Sequence, residues 1–190
     1  MKRIAVIDST IRKDSRTRVI LNHILKRKDV EYYVINLNNL DIFPTNMGNF
    51  DVKDQDENFL KIARKIASCD GLVIAAPFWD MTYPALLKTF IEKMSVFNIM
   101  FIDDGTTCVG ISKNKFMLYI TTRGMNIKDN SKYDGASLSL KSLCLLWGIP
   151  QFECVSAYNL DYSDEKQIKH KLKLACSKAD RKLTELLSIK

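Results

Sequence analysis

The stretch that decides the fold is GLVIAAPFWDMTYPALLKTFIEKM, residues 71–94. Its beginning, residues 71–77, is a continuous apolar run closed by a proline, which is typical of a central parallel strand covered on both faces. From residue 84 to residue 97 the apolar residues recur with helical spacing, and a proline is tolerated in the first turn of a helix. The stretch therefore predicts a strand, a short turn and a helix in succession.

The same alternation recurs along the chain. The predicted strands are 3–8, 30–37, 71–77, 115–122 and 152–158, and the predicted helices are 17–27, 57–69, 84–97, 135–148 and 163–188. Five βα units in a row predict a parallel sheet with right-handed crossovers and helices on both faces. We expect the flavodoxin-like three-layer α/β sandwich with strand order 2-1-3-4-5, in a single domain over residues 1–190. In that order a ligand crevice opens beyond the carboxyl ends of strands 1 and 3.

Composition narrows the class of protein. Hydrophobic residues make up 46% and charged residues 27% of the 190 positions, as in an ordinary globular protein. The N-terminal segment lacks the apolar region of a signal peptide, and no apolar run approaches the roughly 18 residues that cross a bilayer. We therefore expect a cytoplasmic protein without a membrane partner. The net charge of +7 is spread along helices without a recognition motif, so no nucleic-acid partner is expected.

Cysteine and histidine give no sign of a metal site. The five cysteines are scattered and odd in number, and none belongs to a CxxC pair, which argues against a disulfide framework and against zinc. Cys108 lies in a predicted loop, whereas His23 and His170 are isolated on predicted helices. No cysteine begins a C-x5-R run, so a cysteine phosphatase of similar topology is excluded.

The loop after strand 1 suggests an anion site. It contains no glycine, so neither the GxGxxG fingerprint nor the P-loop is present. A helix begins near Ser15, and its first amides and positive dipole end can bind a phosphate. The hydroxyls of Ser15 and Thr17 would add donors. The alternative is that Ser15 or Asp14 merely caps the helix, but the position after strand 1 favours phosphate.

The loops after strands 3 and 4 suggest the site of a flat heteroaromatic ring. Phe78 and Trp79 can supply an apolar face, the backbone of 79–81 can supply donors, and Asp80 can accept from a ring N–H. Taken singly, each of these residues is better explained as a core aromatic or a helix cap, but the cluster as a whole favours the ring site. In the loop after strand 4, Gly124 allows a backbone conformation with positive φ close against a ligand. Arg123 adds a charge and Thr122 a hydroxyl there, although this loop taken alone is better explained as an ordinary surface turn.

Taken in order, these loops resemble those of the flavodoxin-like NAD(P)H:quinone oxidoreductases, in particular the FMN-dependent NADH-azoreductases. The likeness covers nearly the whole chain. It rests on a serine after strand 1, an S-x-[ST] loop, the AAP strand end with its aromatic turn and PALLKTFIE helix, and an [ST]-R-G turn. The resemblance implies FMN as cofactor, NADH or NADPH as co-substrate, and hydride transfer through flavin N5 to quinones, azo or nitroaromatic compounds.

The resemblance also assigns roles to residues. The cofactor-binding residues that it implies are Ser9, Ser15, Arg16, Thr17, Pro77, Phe78, Trp79, Asp80, Met81, Thr122, Arg123, Gly124 and Met125. No catalytic acid or base is needed, and Arg123 is a candidate for stabilising charge on the reduced flavin. The family is dimeric with sites at the subunit interface, and the apolar run 94–102 suits either a contact surface or the core.

The sequence departs from the family pattern at two positions, and two other functions remain as alternatives. Asp80 stands where the family commonly has asparagine, and its charge would disfavour negative charge on the reduced ring. Met125 stands where the family often has a second glycine. A flavodoxin-type electron carrier shares the fold, but such carriers are usually acidic and have a glycine in the first loop. A non-catalytic flavin-binding module is the other alternative.

Overall fold

The computed structural model describes residues 1–49 and 56–189. Its main sheet has five parallel strands in the order β2-β1-β3-β6-β7. These strands are β1 (Lys2–Asp8), β2 (Val30–Asn36), β3 (Gly71–Ala75), β6 (Phe116–Thr122) and β7 (Gln151–Ala157). Since β6 and β7 are the fourth and fifth predicted strands, the predicted strand order is confirmed.

Within the described ranges, five α-helices cover the two faces of the sheet. They are α1 (Arg16–Ile24), α2 (Glu57–Ala67), α3 (Ala85–Met94), α4 (Gly135–Trp147) and α5 (Glu165–Leu187). Apolar residues of α1 and α5 share one core cluster with the sheet, and those of α2, α3 and α4 share the other. All five residues of β3 are buried, as expected for a strand covered on both faces. The predicted three-layer α/β sandwich is therefore confirmed.

The structure contains a hairpin that the sequence analysis did not predict. Strands β4 (Phe101–Asp103) and β5 (Cys108–Gly110) pair antiparallel between α3 and β6. Cys108 therefore lies in a strand, where it is exposed, and not in a loop as predicted. The hairpin packs on the end of α4, because a Cβ atom on Gly110 would lie 1.9 Å from the Gly148 amide nitrogen.

Helix α3 ends at Met94, three residues before the predicted end, and the apolar run that follows divides between core and surface. Met94, Val96 and Met100 are buried in the core, whereas 48% of Phe97 is exposed. Core packing thus explains the buried members of this run. Among the described residues, none of the helices combines the length and the apolar character that a membrane crossing requires.

Because the main strands are parallel, their carboxyl ends meet at one edge of the sheet, and backbone hydrogen bonds join the loops there. The Ser9 amide donates to the Ala75 carbonyl at 2.8 Å, and the Phe78 amide donates to the Thr122 carbonyl at 3.1 Å. The loops after β1, β3 and β6 are thereby held side by side. This is the edge at which the topology predicts a ligand crevice.

Candidate functional site

A cleft opens at this edge and consists of two adjoining cavities. One, of about 300 Å³, is lined by Arg12, Asp14, Ser15, Arg16, Pro77, Phe78, Trp79, Thr122, Arg123, Gly124, Leu160 and Asp161. The other, of about 340 Å³, is lined by Phe78, Asp80, Met81, Gly124, Met125 and Asp161. All predicted site residues except Ser9 and Thr17 therefore line the cleft.

One end of the cleft is polar and lies at the start of α1. Ser15 is the N-cap of this helix, and its hydroxyl accepts from the Arg18 amide at 3.4 Å. Ser15 therefore does cap the helix, but its hydroxyl still has a proton that it can donate to a ligand. The first amides of a helix lack intrahelical partners, so this end offers several donors to an anion.

The charged side chains around this end are paired with one another. Arg12 contacts Asp14 at 2.7 Å, and Arg16 contacts Asp161 at 3.4 Å. Three of the four side chains are largely exposed, and that of Arg16 is 43% exposed. The hydrogen bond from Arg12 holds the pKa of Asp14 below its ordinary value.

Ser9 and Thr17 lie beneath the cleft and are fully buried. The hydroxyls of Thr17 and Thr122 are 2.7 Å apart, so they join the loop after β1 to the loop after β6. The Ser9 hydroxyl has no hydrogen-bond partner among the described residues. Thr17 therefore supports the cleft by joining two of the loops that form it.

A second support was missed by the sequence reasoning. The Asp8 carboxylate accepts from the Thr10 amide at 2.9 Å, and Arg18 Nε donates to the Thr10 hydroxyl at 2.8 Å. Arg18 Nη2 also donates to the Thr10 carbonyl. These bonds fix the backbone that leads from β1 to α1. The available signal was an aspartate followed two residues later by a threonine, a pattern that often forms a local turn.

The aromatic turn after β3 has an uncommon backbone conformation. Trp79 and Thr82 exchange two backbone hydrogen bonds of 2.8 Å across Asp80 and Met81, whose φ angles are +48° and +68°. Positive φ at both central positions is the geometry of a type I′ turn, which normally selects Asn-Gly or Asp-Gly. Asp80 suits this conformation better than Met81 does.

The turn directs its side chains outward. Trp79 is 40% exposed and Met81 is 39% exposed, so neither is a core residue. Asp80 does not cap α3, because Pro84 occupies the N-cap position. Trp79 is therefore not a core aromatic and Asp80 is not a helix cap, and both residues face the cleft.

Arg123 has a different environment from the one expected. It is fully buried, and its guanidinium lies 4.8 Å from the centre of the Phe78 ring. Its Nη1 donates to the carbonyls of residues 127–128 at 3.1 Å, and its Nη2 lies 2.8 Å from Asp134 and 3.3 Å from Asp129. The guanidinium charge is thus neutralised within the loop, and it supports the aromatic wall by a cation–π contact.

Asp134 is the principal partner of Arg123 and is itself buried. Burial alone would raise the pKa of Asp134. Hydrogen bonds from Ser137 and from the Asn130 amide, together with the charge of Arg123, outweigh burial and hold this pKa below its ordinary value. The pair is therefore ionised and fixed at neutral pH.

Gly124 is required by the space around it and not by its backbone conformation. Among the described glycines only Gly105 and Gly148 have positive φ, so Gly124 does not use the positive-φ conformation that a glycine allows. The glycine is needed for space, because a Cβ atom there would lie 1.8 Å from Asp161 Oδ2. Asp161 was missed as a cleft residue, although the loop after the last strand ends at the same edge of the sheet.

Comparison with known proteins agrees with this geometry. Residues 2–126 match the family described as NADPH-dependent FMN reductase. The chain belongs to this family. A protein of Clostridium perfringens called FMN-dependent NADH:quinone oxidoreductase is 33% identical over 132 residues, which are 70% of this chain and 66% of that protein.

The relatives differ in how much of each sequence is matched. A protein of the same name from Lachnoclostridium phytofermentans is 25% identical over 85% of this chain and 88% of its own length. For other relatives from Clostridium perfringens, the match spans 57% of their length. The similarity thus covers less than two thirds of these proteins.

Solved structures show the same fold. A Bacillus anthracis protein described as an FMN-dependent NADH-azoreductase in complex with FMN superposes with a TM-score of 0.77, at 18% identity, over 95% of this chain and 99% of that one. An NAD(P)H:quinone oxidoreductase from Methanothermobacter marburgensis gives a TM-score of 0.73 at 14% identity, over 94% of this chain and 97% of that one. The flavodoxin-like fold is therefore shared along almost the whole chain.

Proposed function

We propose that this protein is an FMN-dependent NAD(P)H oxidoreductase that reduces quinones, azo compounds or nitroaromatic compounds. The observation that carries the proposal is the cleft itself, which has hydroxyl and amide donors at one end and an aromatic wall at the other. The names of the family and of its relatives support the same activity.

The residues present fit FMN. Ser15, Arg16 and the first amides of α1 would hold the phosphate, because they combine hydrogen-bond donors with positive charge. Phe78 and Trp79 would cover the flat ring system, and the turn that contains Asp80 would face its polar edge. FMN, when bound, supplies the hydride chemistry that links NADH or NADPH to the electron acceptor.

The chain's own contribution is binding and orientation. The turn at 79–82 and the buried Arg123 hold the aromatic wall in one position, so a ring lying on it is presented in a defined orientation. In the described part of the cleft, Arg123 is enclosed by its acidic partners. We therefore assign Arg123 a positioning role and nominate no catalytic acid or base.

The absorbance spectrum of the purified protein tests the proposal. The protein should be yellow, and anaerobic NADH or NADPH should bleach the flavin absorbance. Steady-state oxidation of NADH in the presence of a quinone distinguishes a reductase from an electron carrier, which lacks this activity. A colourless protein that takes up no added FMN would contradict the proposal.

The proposal includes a homodimer, supported by an apolar surface beside the cleft. A groove of about 700 Å³ runs between the aromatic turn and α3, where Trp79, Tyr83 and Leu86 line it together with Ser139 of α4. On α4, Leu138 is 69% exposed and Leu145 is 83% exposed. Seven residues apart, these leucines lie on the same face of the helix.

Light scattering on a sizing column tests the dimer. Leu145→Lys should shift the protein toward monomer, because it places a charge in the apolar contact. Leu174→Lys is the matched control, since Leu174 is 57% exposed on α5, at the other face of the sheet. Equal behaviour of both variants would argue against this surface.

We also propose a cytoplasmic, single-domain protein, which cell fractionation and limited proteolysis would test.

A further inference from the structure

Asp161 lies on a rigid segment of the cleft. Its amide donates to the Gly124 carbonyl at 3.1 Å, and the Leu160 amide donates to the Arg123 carbonyl at 3.2 Å. The Asn159 amide completes the set with a 2.9 Å bond to the Met125 carbonyl. The loop after β7 is thereby paired with the loop after β6. These hydrogen bonds hold the backbone of Asp161 in place, whereas its side chain is exposed.

The carboxylate of Asp161 lines both cavities of the cleft. One oxygen occupies the space left by the missing side chain of Gly124, and the other lies 3.4 Å from Arg16 Nη1. The side chain of Asp161 is 67% exposed, so the pair is accessible to solvent and to a ligand. A negative charge is therefore placed beside the donors that would hold a phosphate.

This arrangement cancels the charge of the cleft. Arg16 is paired with Asp161, Arg12 is paired with Asp14, and the buried Arg123 is paired with acidic residues of its own loop. An anionic ligand thus meets little net charge there, although the whole chain carries +7. Binding of a phosphate to Arg16 has to displace Asp161 or tolerate a like charge next to it.

We propose that Asp161 determines flavin specificity by competing with the phosphate group for Arg16, which lowers the preference of this protein for phosphorylated over unphosphorylated flavin. The proposal rests on the flavin site proposed above. Riboflavin has the same ring and polyol chain as FMN but no phosphate, so its binding requires no change in the Arg16–Asp161 pair. The competition therefore acts on FMN alone.

The test is the variant Asp161→Asn, which keeps the shape of the side chain and removes its charge. Dissociation constants of FMN and riboflavin are measured by flavin fluorescence, with the full-length protein freed of flavin. We expect FMN to bind about two- to fivefold more tightly to the variant, as is usual for one exposed charge contact, with riboflavin unchanged. FMN binding by the variant should also weaken more steeply with salt, because the phosphate then contacts an unpaired Arg16.

Asp29→Asn is the matched control. Asp29 pairs with Arg27 at 2.6 Å just before β2 begins, at the opposite edge of the sheet, so its replacement changes the net charge equally without touching the cleft. The variant Arg16→Gln provides a second test. It should lower the ratio of FMN to riboflavin affinity, because it removes the cation and leaves the Asp161 carboxylate unpaired beside the phosphate.

The possible results separate this inference from the proposed function. Tighter binding of FMN with unchanged riboflavin affinity supports the role of Asp161. Equal changes for both flavins, no change, or weaker FMN binding overturns it while leaving the flavin site intact. If the unaltered protein binds neither flavin, the proposed function fails and this inference fails with it. Should Asp161→Asn not fold, an unchanged affinity ratio in Arg16→Gln overturns the inference.

Discussion

The cleft is bordered by two kinds of arginine–aspartate pair. The side chains of Arg123 and Asp134 are both 0% exposed, whereas those of Arg12 and Asp14 are 69% and 72% exposed. The residue types are the same, but the first pair is fixed by surrounding hydrogen bonds and the second is in contact with water. The buried pair can therefore maintain the shape of the cleft, and the exposed pairs can change partner when a charged ligand arrives.

The largest expected effect separates the two kinds of pair by stability. Asp134→Asn leaves the buried Arg123 without its closest partner, and losing one member of a buried ion pair costs about 3–5 kcal/mol. We expect the lower part of this range because Asp129 still lies 3.3 Å from Arg123. Urea denaturation followed by circular dichroism measures the change.

Asp14→Asn is the control for this prediction, because it breaks an exposed pair of the same chemistry. Its urea midpoint should match that of the unaltered protein. If both variants shifted the midpoint equally, burial would not be the property that distinguishes the pairs.

The pH dependence of stability is a second test of the buried Arg123–Asp134 pair. Because folding lowers the pKa of Asp134, its contribution is present above the pKa of the unfolded chain, near 4, and is lost as pH falls through the lower folded value. One such group adds at most about 1.4 kcal/mol per pH unit to the slope of stability against pH. Between pH 4 and pH 2, Asp134→Asn should lose less stability than the unaltered protein. If the stability of the two proteins fell with the same slope against pH, the pKa of Asp134 would not be lowered in the folded protein.

The sequence predicted what depends on local pattern. Buried runs such as 71–77 and amphipathic segments such as 57–69 are decided by neighbouring residues, so they gave the strands, the helices and, through topology, the strand order. The strand order in turn predicted which edge of the sheet carries the cleft. The cleft therefore contains most of the predicted site residues, at one end of the sheet.

What the sequence could not show depends on contacts between distant residues. The hairpin strands have three residues each, too few for a periodic pattern. The burial of Arg123 depends on Asp134 lying against it, and the need for a glycine at 124 depends on Asp161 from another loop. A charged residue or a glycine has the same appearance in a sequence whether it faces a ligand, the core or another loop.

A smaller effect is expected in the aromatic turn, whose strain is independent of charge. Met81 has φ of +68°, a conformation that costs a residue with a side chain about 1–2 kcal/mol. Met81→Gly should relieve part of this cost and stabilise the protein by about 0.5–1 kcal/mol, after allowing for the greater freedom of glycine in the unfolded chain. Thermal unfolding of the flavin-free protein measures it.

Met125→Gly is the matched control for the turn. Met125 is also exposed, at 53%, and it is not among the described residues with positive φ. This variant should gain no stability. A gain in both variants would attribute the effect to removal of an exposed methionine and not to the backbone of the turn.

The smallest effect concerns Asp80, an exposed charge that faces the proposed ring site. With FMN bound there, a nearby carboxylate opposes the build-up of negative charge on reduction, so Asp80→Asn should raise the two-electron reduction potential by about 10–20 mV. Asparagine adopts positive φ as readily as aspartate, so the turn keeps its shape and only the charge changes. Anaerobic titration against a reference dye measures the potential, with Asp29→Asn as control for net charge. An unchanged potential would mean that solvent screens Asp80 completely, and the exposed charges of this cleft would then act on the phosphate end alone.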